Sequence, residues 1–222
     1  GTEMRIVAFS DGSDELDDPG RPGLLVEGTV VALADIPGCG DITRLEVARH
    51  VSDVSATVAG RDLRRLPSHP LDQVRLRCPI VPRNVYGTGT NYVDHLAEMG
   101  GSAPAVPTAN FLKLPGSVAG PGDPVVAPAE GFLDYEAEIA VLIGRATGPG
   151  DDVDGAVAGL LLANDLTARD APTTHLTLAK SGPGYCPLGP ALVTLDEVDP
   201  HDVSFELCVN GEVRQRAHTS GM

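Results

Sequence analysis

The chain has 222 residues, 42% hydrophobic and 21% charged, which is enough to bury a substantial core. Its formal charge of −15 argues against nucleic acid or an anionic membrane as partners, and an anionic ligand would need local positive charge. No apolar run reaches membrane-spanning length, and four Phe, four Tyr and no Trp imply an aliphatic core of Val, Leu and Ala.

In chain order, Gly1–Glu3 reads as a cloning remnant before a natural start at Met4, and no signal peptide follows. Residues 4–9 have the composition of a strand. The acidic stretch Asp11–Gly23 is a loop, and Leu24–Ile36 reads as a hairpin turning at Glu27-Gly28. Residues 41–64 carry helical spacing, with Ile42, Leu45, Val47 and Val51 among the apolar positions. The Pro-bearing stretch Leu66–Asp72 is the best boundary, dividing a small amino-terminal domain (1–72) from a main domain (73–222). Val74–Cys78 alternates as a short strand, and the Ala-, Pro- and Gly-rich Gly100–Thr108 is a candidate lid. Asp134–Gly144 reads as a strand, and a helix capped by Asp151 or Asp152 is expected after Gly148. Phe205–Arg214 is the clearest hairpin, with Asn210-Gly211 suiting a type I′ turn. The mixture predicts an α+β fold, mostly β. Cys39, Cys78, Cys186 and Cys208 are scattered without a C-x-x-C or zinc spacing, so reduced thiols in a cytoplasmic protein are expected.

The chemistry concentrates in three places. Glu136 and Glu138 lie two residues apart on a strand, so their carboxylates face the same way, roughly 6–7 Å apart. Their face continues as Ala140 and Leu142, and it is therefore not a plain solvent face. Converging carboxylates beside apolar residues repel unless a cation lies between them, and a hard divalent ion is the usual solution. A third carboxylate, Asp165, follows the apolar run Gly159–Ala163, which completes a donor set suited to Mg²⁺ or Mn²⁺. The alternative is that the glutamates form a solvated edge and Asp165 a turn with Asn164. Upstream, His95 and Glu98 are three residues apart in a short helical stretch, the spacing of a base and the carboxylate that orients it. The chain also uses 14 Arg but only two Lys, Lys113 and Lys180, which marks both as positions where a compact ammonium matters.

Taken together, the motifs resemble the fumarylacetoacetate hydrolase family. They run in order as Asn91-Tyr92-x-x-His95-x-x-Glu98, Phe111-x-Lys113, Asp134-Tyr-Glu136-x-Glu138, Asn164-Asp165-x-Thr-Ala-Arg169-Asp170, Lys180-Ser…Pro-Leu-Gly-Pro190 and Val209-Asn-Gly-Glu-x-x-Gln215. The resemblance covers residue 74 to the end. It implies a mixed β roll around a divalent ion held by Glu136, Glu138 and Asp165, with His95 as general base supported by Glu98. It further implies Lys180 and Arg169 gripping the oxyanion and carboxylate of the substrate, Lys113 and Tyr92 beside it, and a homodimer. Two departures stand out: Pro172 replaces a Gln common in the family, and the chain stops at Met222, where members continue through a Gly-Thr-Pro-x-Gly turn. The sequence thus reads as lacking the family's carboxy-terminal portion. The implied activity is metal-dependent hydrolysis of a C–C bond in an acylpyruvate-like 2-oxo acid. Decarboxylase, hydratase and isomerase activities, or a non-catalytic metal-binding relative, are the alternatives.

Overall fold

A computed structural model describes residues 4–12, 18–89, 110–170 and 175–222. Strands dominate: β1 (Arg5–Ser10), β2 (Arg21–Val26), β3 (Thr29–Ala32), β4 (His69–Pro70), β5 (Arg75–Arg77), β6 (Val85–Thr88), β7 (Asn110–Lys113), β8 (Val118–Ala119), β9 (Phe132–Asp134), β10 (Ala137–Ile143), β11 (Val157–Asn164), β12 (Thr167–Arg169), β13 (Cys186–Val193), β14 (Ser204–Val209) and β15 (Glu212–His218). Among the described residues the α-helices are α1 (Val47–Val58) and the single turn α2 (Leu176–Ala179). The architecture is α+β, mostly β, as the composition and turn signals imply.

Among the described residues the main sheet runs β10-β11-β13-β1-β2-β3-β4, with β5 joining β1 and β8 joining β13. It is mixed: β13 and β8 are parallel, and the other pairs are antiparallel. The first half of β1 pairs with β13 (Ile6 opposite Leu192) and its second half with β5 (Phe9 opposite Leu76), so the amino-terminal segment shares one sheet with the rest of the chain. The expected hairpins form where two consecutive residues accept positive φ: Glu27 and Gly28 between β2 and β3, and Asn210 and Gly211 between β14 and β15.

Helix α1 is shorter than the periodic stretch 41–64. It is entered through a turn in which the Glu46 carboxylate accepts from the Thr43 N–H at 3.2 Å and from the Thr43 hydroxyl at 2.7 Å, with Glu46 at the N-cap. Leu45 therefore sits in the turn before the helix, exposed, and not on the buried stripe. That stripe is Val47, Val51, Val54 and Val58, packed into one cluster with Ile6, Leu24, Leu161 and Leu192. Each fully buried valine contributes about 1.5–3 kcal/mol. A Cβ on Gly144 would stand 2.6 Å from the Ala48 carbonyl oxygen, so glycine at the end of β10 is what lets α1 approach the sheet.

Two sequence expectations fail. The single strand expected over Asp134–Gly144 is interrupted at Tyr135 and Glu136, between β9 and β10, where the pairing partner changes from β12 to β11. The segment after Gly148 forms no α-helix. Asp151 accepts from the Gly148 N–H at 2.7 Å and Asp152 from the Asp154 N–H at 3.1 Å, and these local turns lead through a single 3-10 turn, Asp154–Ala156, straight into β11. The apolar run Val157–Ala163 is β-branched at its start and pairs on both sides, with β10 and β13, so a strand buries it better than a helix would.

Candidate active site

Two antiparallel legs carry the acidic residues. β10 pairs with β11, with Ala137 opposite Asn164, and beyond the strand ends β9 pairs with β12, with Asp134 opposite Thr167. Glu136 and Asp165 face one another at the joint, where the Glu136 carbonyl accepts from the Asp165 N–H at 2.8 Å. The Asn164 side chain adds a second lock, its Oδ1 accepting from the Glu136 N–H at 3.1 Å. This register brings Asp134, Glu136, Glu138 and Asp165 together, although some thirty residues separate the two legs in sequence.

Both lysines of the chain arrive at the same carboxylate. Lys113, 3% exposed, reaches one oxygen of Asp165 and donates to the Leu166 carbonyl at 3.3 Å. Lys180, at the carboxy end of α2, donates to the other Asp165 oxygen at 2.7 Å, to Glu136 Oε2 at 2.9 Å and to Thr167 Oγ1 at 2.8 Å. Arg169 Nη2 reaches Glu136 Oε1, and its Nε donates to Asp134 Oδ2 at 3.0 Å. Burial lowers the pKa of the Lys113 ammonium, and the Asp165 charge opposes that shift.

The Phe111-x-Lys113 spacing has a structural reason. Alternation on β7 buries both side chains on one face, and the Phe111 ring lies 4.8 Å from Lys180 Nζ, a cation–π contact. Gly87 on β6 is directly opposite Phe111, and a Cβ there would fall 2.1 Å from the ring. The Ser181 hydroxyl oxygen accepts from the Leu114 N–H at 3.0 Å and fastens the Lys180 turn to β7.

Glu138 differs from its neighbours. It is half-buried, and among the described residues nothing donates a hydrogen bond to its carboxylate. Burial, reinforced by the charges of Glu136 and Asp165, pushes its pKa up to about 7, with Lys180 acting in the opposite direction. Among the described residues no three carboxylate, imidazole or thiolate groups close on one point, and Lys180 bridges Glu136 and Asp165. The donor chemistry nevertheless suits a hard cation: the charges of Glu136 and Asp165 act on Glu138, and among the described residues Glu138 has no cationic partner.

Cys186 lies near Lys113 and Asp165, but burial raises its pKa to about 11, so it is a protonated core thiol at neutral pH. All four cysteines are unpaired, and Cys39, Cys78 and Cys186 are buried.

The structure thus brings together Lys113, Glu136, Glu138, Asp165, Arg169 and Lys180. His95, Glu98, Tyr92, Pro172 and the candidate lid Gly100–Thr108 lie outside the described residues. Sequence reasoning passed over Asp134, Asn164, Thr167 and Gln215 as site residues. All four stand inside quoted motifs, and the role of the first three was visible only as proximity to a carboxylate. Gln215 lies 78 residues from its partner Ala137, and the motif that contains it says nothing of that contact.

Fold and site together define a mostly β roll carrying a compact cluster of carboxylates and cations at the end of two paired strands. The comparisons agree. The model of the fumarylacetoacetate (FAA) hydrolase carboxy-terminal domain matches residues 84–222, and the chain belongs to this family. Oxaloacetate tautomerase Fahd2a, a mitochondrial protein of Rattus norvegicus, is 37% identical over 230 residues, covering 99% of this chain and 72% of that protein. Among solved structures, fumarylacetoacetate hydrolase from Exiguobacterium antarcticum aligns with a TM-score of 0.79 at 36% identity, covering 99% of this chain and 76% of its own. Maleylpyruvate hydrolase from Sphingobium sp. SYK-6, in complex with manganese(II) and pyruvate, aligns with a TM-score of 0.78 at 26% identity, covering 99% of this chain and 78% of its own.

Proposed function

We propose that the chain is a divalent-metal-dependent enzyme acting on a small anionic 2-oxo acid. Glu136, Glu138 and Asp165 hold the ion, Mg²⁺ or Mn²⁺, and the reaction is hydrolysis of a C–C bond in an acylpyruvate-like 1,3-dicarbonyl acid. The observation that carries the reading is Glu138, a half-buried carboxylate without a donor among the described residues, flanked by two further carboxylates. Charge balance supports it. Among the described residues three cations (Lys113, Arg169, Lys180) face four carboxylates (Asp134, Glu136, Glu138, Asp165), so with all of them ionised the cluster is one negative charge in excess. A divalent ion would make it positive by one, which suits an anionic substrate in a chain of net charge −15.

When bound, the ion supplies positive charge beside the substrate oxygens on which an enolate develops. The chain's own groups do the rest. Arg169 neutralises the substrate carboxylate, and Lys180 donates to the developing oxyanion. His95, oriented by Glu98, takes a proton from a water molecule whose oxygen bonds to the distal carbonyl carbon. The C–C bond then breaks, its electron pair leaves as the enolate of the 2-oxo acid, and the proton held by His95 returns to the enolate carbon. Lys113 keeps Asp165 oriented, and Tyr92 lines the substrate.

A second reading, keto–enol tautomerisation, is favoured by the 37% identity to the rat oxaloacetate tautomerase over nearly the whole chain. It needs the same base and enolate stabilisation but no attacking water. Unpaired cysteines fit a reducing compartment such as the cytoplasm. Among the described residues no helix is long and apolar enough to cross a membrane. Exposed Val141, Ile143 and Leu162 on one face of β10–β11 support a homodimer.

The test is calorimetric titration with oxalate, which mimics the enolate of pyruvate, with and without Mg²⁺ or Mn²⁺. Metal-dependent oxalate binding is expected, followed by turnover of acylpyruvates for the first reading or of enol-oxaloacetate alone for the second. Metal binding without oxalate binding would point to a non-catalytic relative, and no metal binding would overturn the enzyme reading.

A further inference from the structure

Among the described residues β10 is the terminal strand of the main sheet, and the outward N–H and C=O of its residues have no strand there to pair with. At Ala137, the residue between the two glutamates, both groups are nonetheless satisfied by one side chain. The Ala137 N–H donates to Gln215 Oε1 at 2.8 Å, and Gln215 Nε2 donates to the Ala137 carbonyl at 2.9 Å. Gln215 comes from β15 of the separate β14–β15 hairpin, and its amide presents the same donor–acceptor pair as a peptide group of a neighbouring strand. On the inner edge the Glu136 N–H goes to Asn164 Oδ1 and the Glu136 carbonyl takes the Asp165 N–H. All four hydrogen-bonding groups of residues 136 and 137 are therefore held, two from each side. Backbone direction at this point decides where the side chains of Glu136, just before β10, and Glu138, on it, leave the chain, and a carboxylate pair must converge within a few tenths of an ångström to share an ion.

We propose that Gln215 is a positioning residue for the carboxylate cluster: its amide replaces the missing strand at Ala137 and thereby aims Glu136 and Glu138 at a common cation. This rests on the reading that these glutamates hold a divalent ion. A merely structural role, docking of the hairpin, would alter stability and leave the metal affinity of the folded protein unchanged.

The experiment measures Mn²⁺ affinity by calorimetry and the thermal unfolding midpoint in EDTA for the unaltered chain, Gln215→Ala, Gln215→Glu and Glu138→Ala. Gln215→Ala should weaken Mn²⁺ binding by about 10–100-fold, the usual effect of losing a group that orients a ligand. Gln215→Glu preserves size and can accept from the Ala137 N–H, but when ionised it cannot donate to the Ala137 carbonyl. It should weaken binding likewise, and it decides the matter if the alanine variant fails to fold. Mn²⁺ affinity within about twofold of the unaltered chain in a folded Gln215 variant overturns the proposal. Absence of Mn²⁺ binding by the unaltered chain, or full binding by Glu138→Ala, refutes the metal reading and this role with it.

Discussion

Replacing Lys180 by Met tests the electrostatic design of the site most directly. The ammonium, 7% exposed, has three acceptors: Asp165 Oδ2 at 2.7 Å, Thr167 Oγ1 at 2.8 Å and Glu136 Oε2 at 2.9 Å. Methionine preserves the length of the arm and its contact with the Phe111 ring but removes the charge. Breaking a buried ion pair by deleting one partner costs about 3–5 kcal/mol, because the remaining charge stays buried. Here each carboxylate keeps one other cation, Asp165 with Lys113 and Glu136 with Arg169, which places the cost near the lower end, about 3 kcal/mol. For a chain of this size that corresponds to a fall of about 6–12 °C in the thermal midpoint of the metal-free protein. Differential scanning calorimetry in EDTA measures it. Saturating Mn²⁺ should restore part of the loss, because the ion supplies charge to the same two carboxylates, and the variant should gain more from Mn²⁺ than the unaltered chain does. A metal-free midpoint within about 2 °C of the unaltered protein, or equal gains from Mn²⁺ in the two proteins, would refute the reasoning.

Glu138→Gln should change the pH dependence of metal-free stability. The folded-state pKa of Glu138 is raised to about 7 from 4.5, so the folded protein binds this proton more tightly than the unfolded chain. Its contribution is therefore most favourable below pH 4.5 and is lost as the pH rises through about 7. Urea unfolding in EDTA across that interval should show a decline in the unaltered chain that is flattened in the glutamine variant, and identical slopes would contradict the assignment. His95→Ala should lower turnover by about 10²–10⁴-fold while leaving Mn²⁺ affinity nearly intact, as steady-state kinetics beside calorimetry would show. Undiminished turnover removes His95 from the mechanism.

The sequence by itself determined the type of most elements and the inventory of charged groups. The Glu27-Gly28 and Asn210-Gly211 pairs closed their hairpins, because each turn depends on residues next to one another, whereas of the two glutamates expected on one strand only Glu138 lies on β10 and Glu136 sits in the break before it. The scarcity of lysine pointed to Lys113 and Lys180, and the two do meet at Asp165. Where local signals competed, they misled. The aspartates after Gly148 satisfy tight turns as readily as a helix cap, and β11 became a strand because β10 and β13 were there to pair with it. Only the tertiary structure decided which cation answers which carboxylate: Arg169 is shared by Asp134 and Glu136, Lys180 by Glu136 and Asp165, and Glu138 has none among the described residues. It alone placed Gln215 on the far edge of Ala137. Such contacts join residues that lie tens of positions apart in the chain. They are set by strand register and by the balance of burial against charge, neither of which a local stretch of sequence encodes.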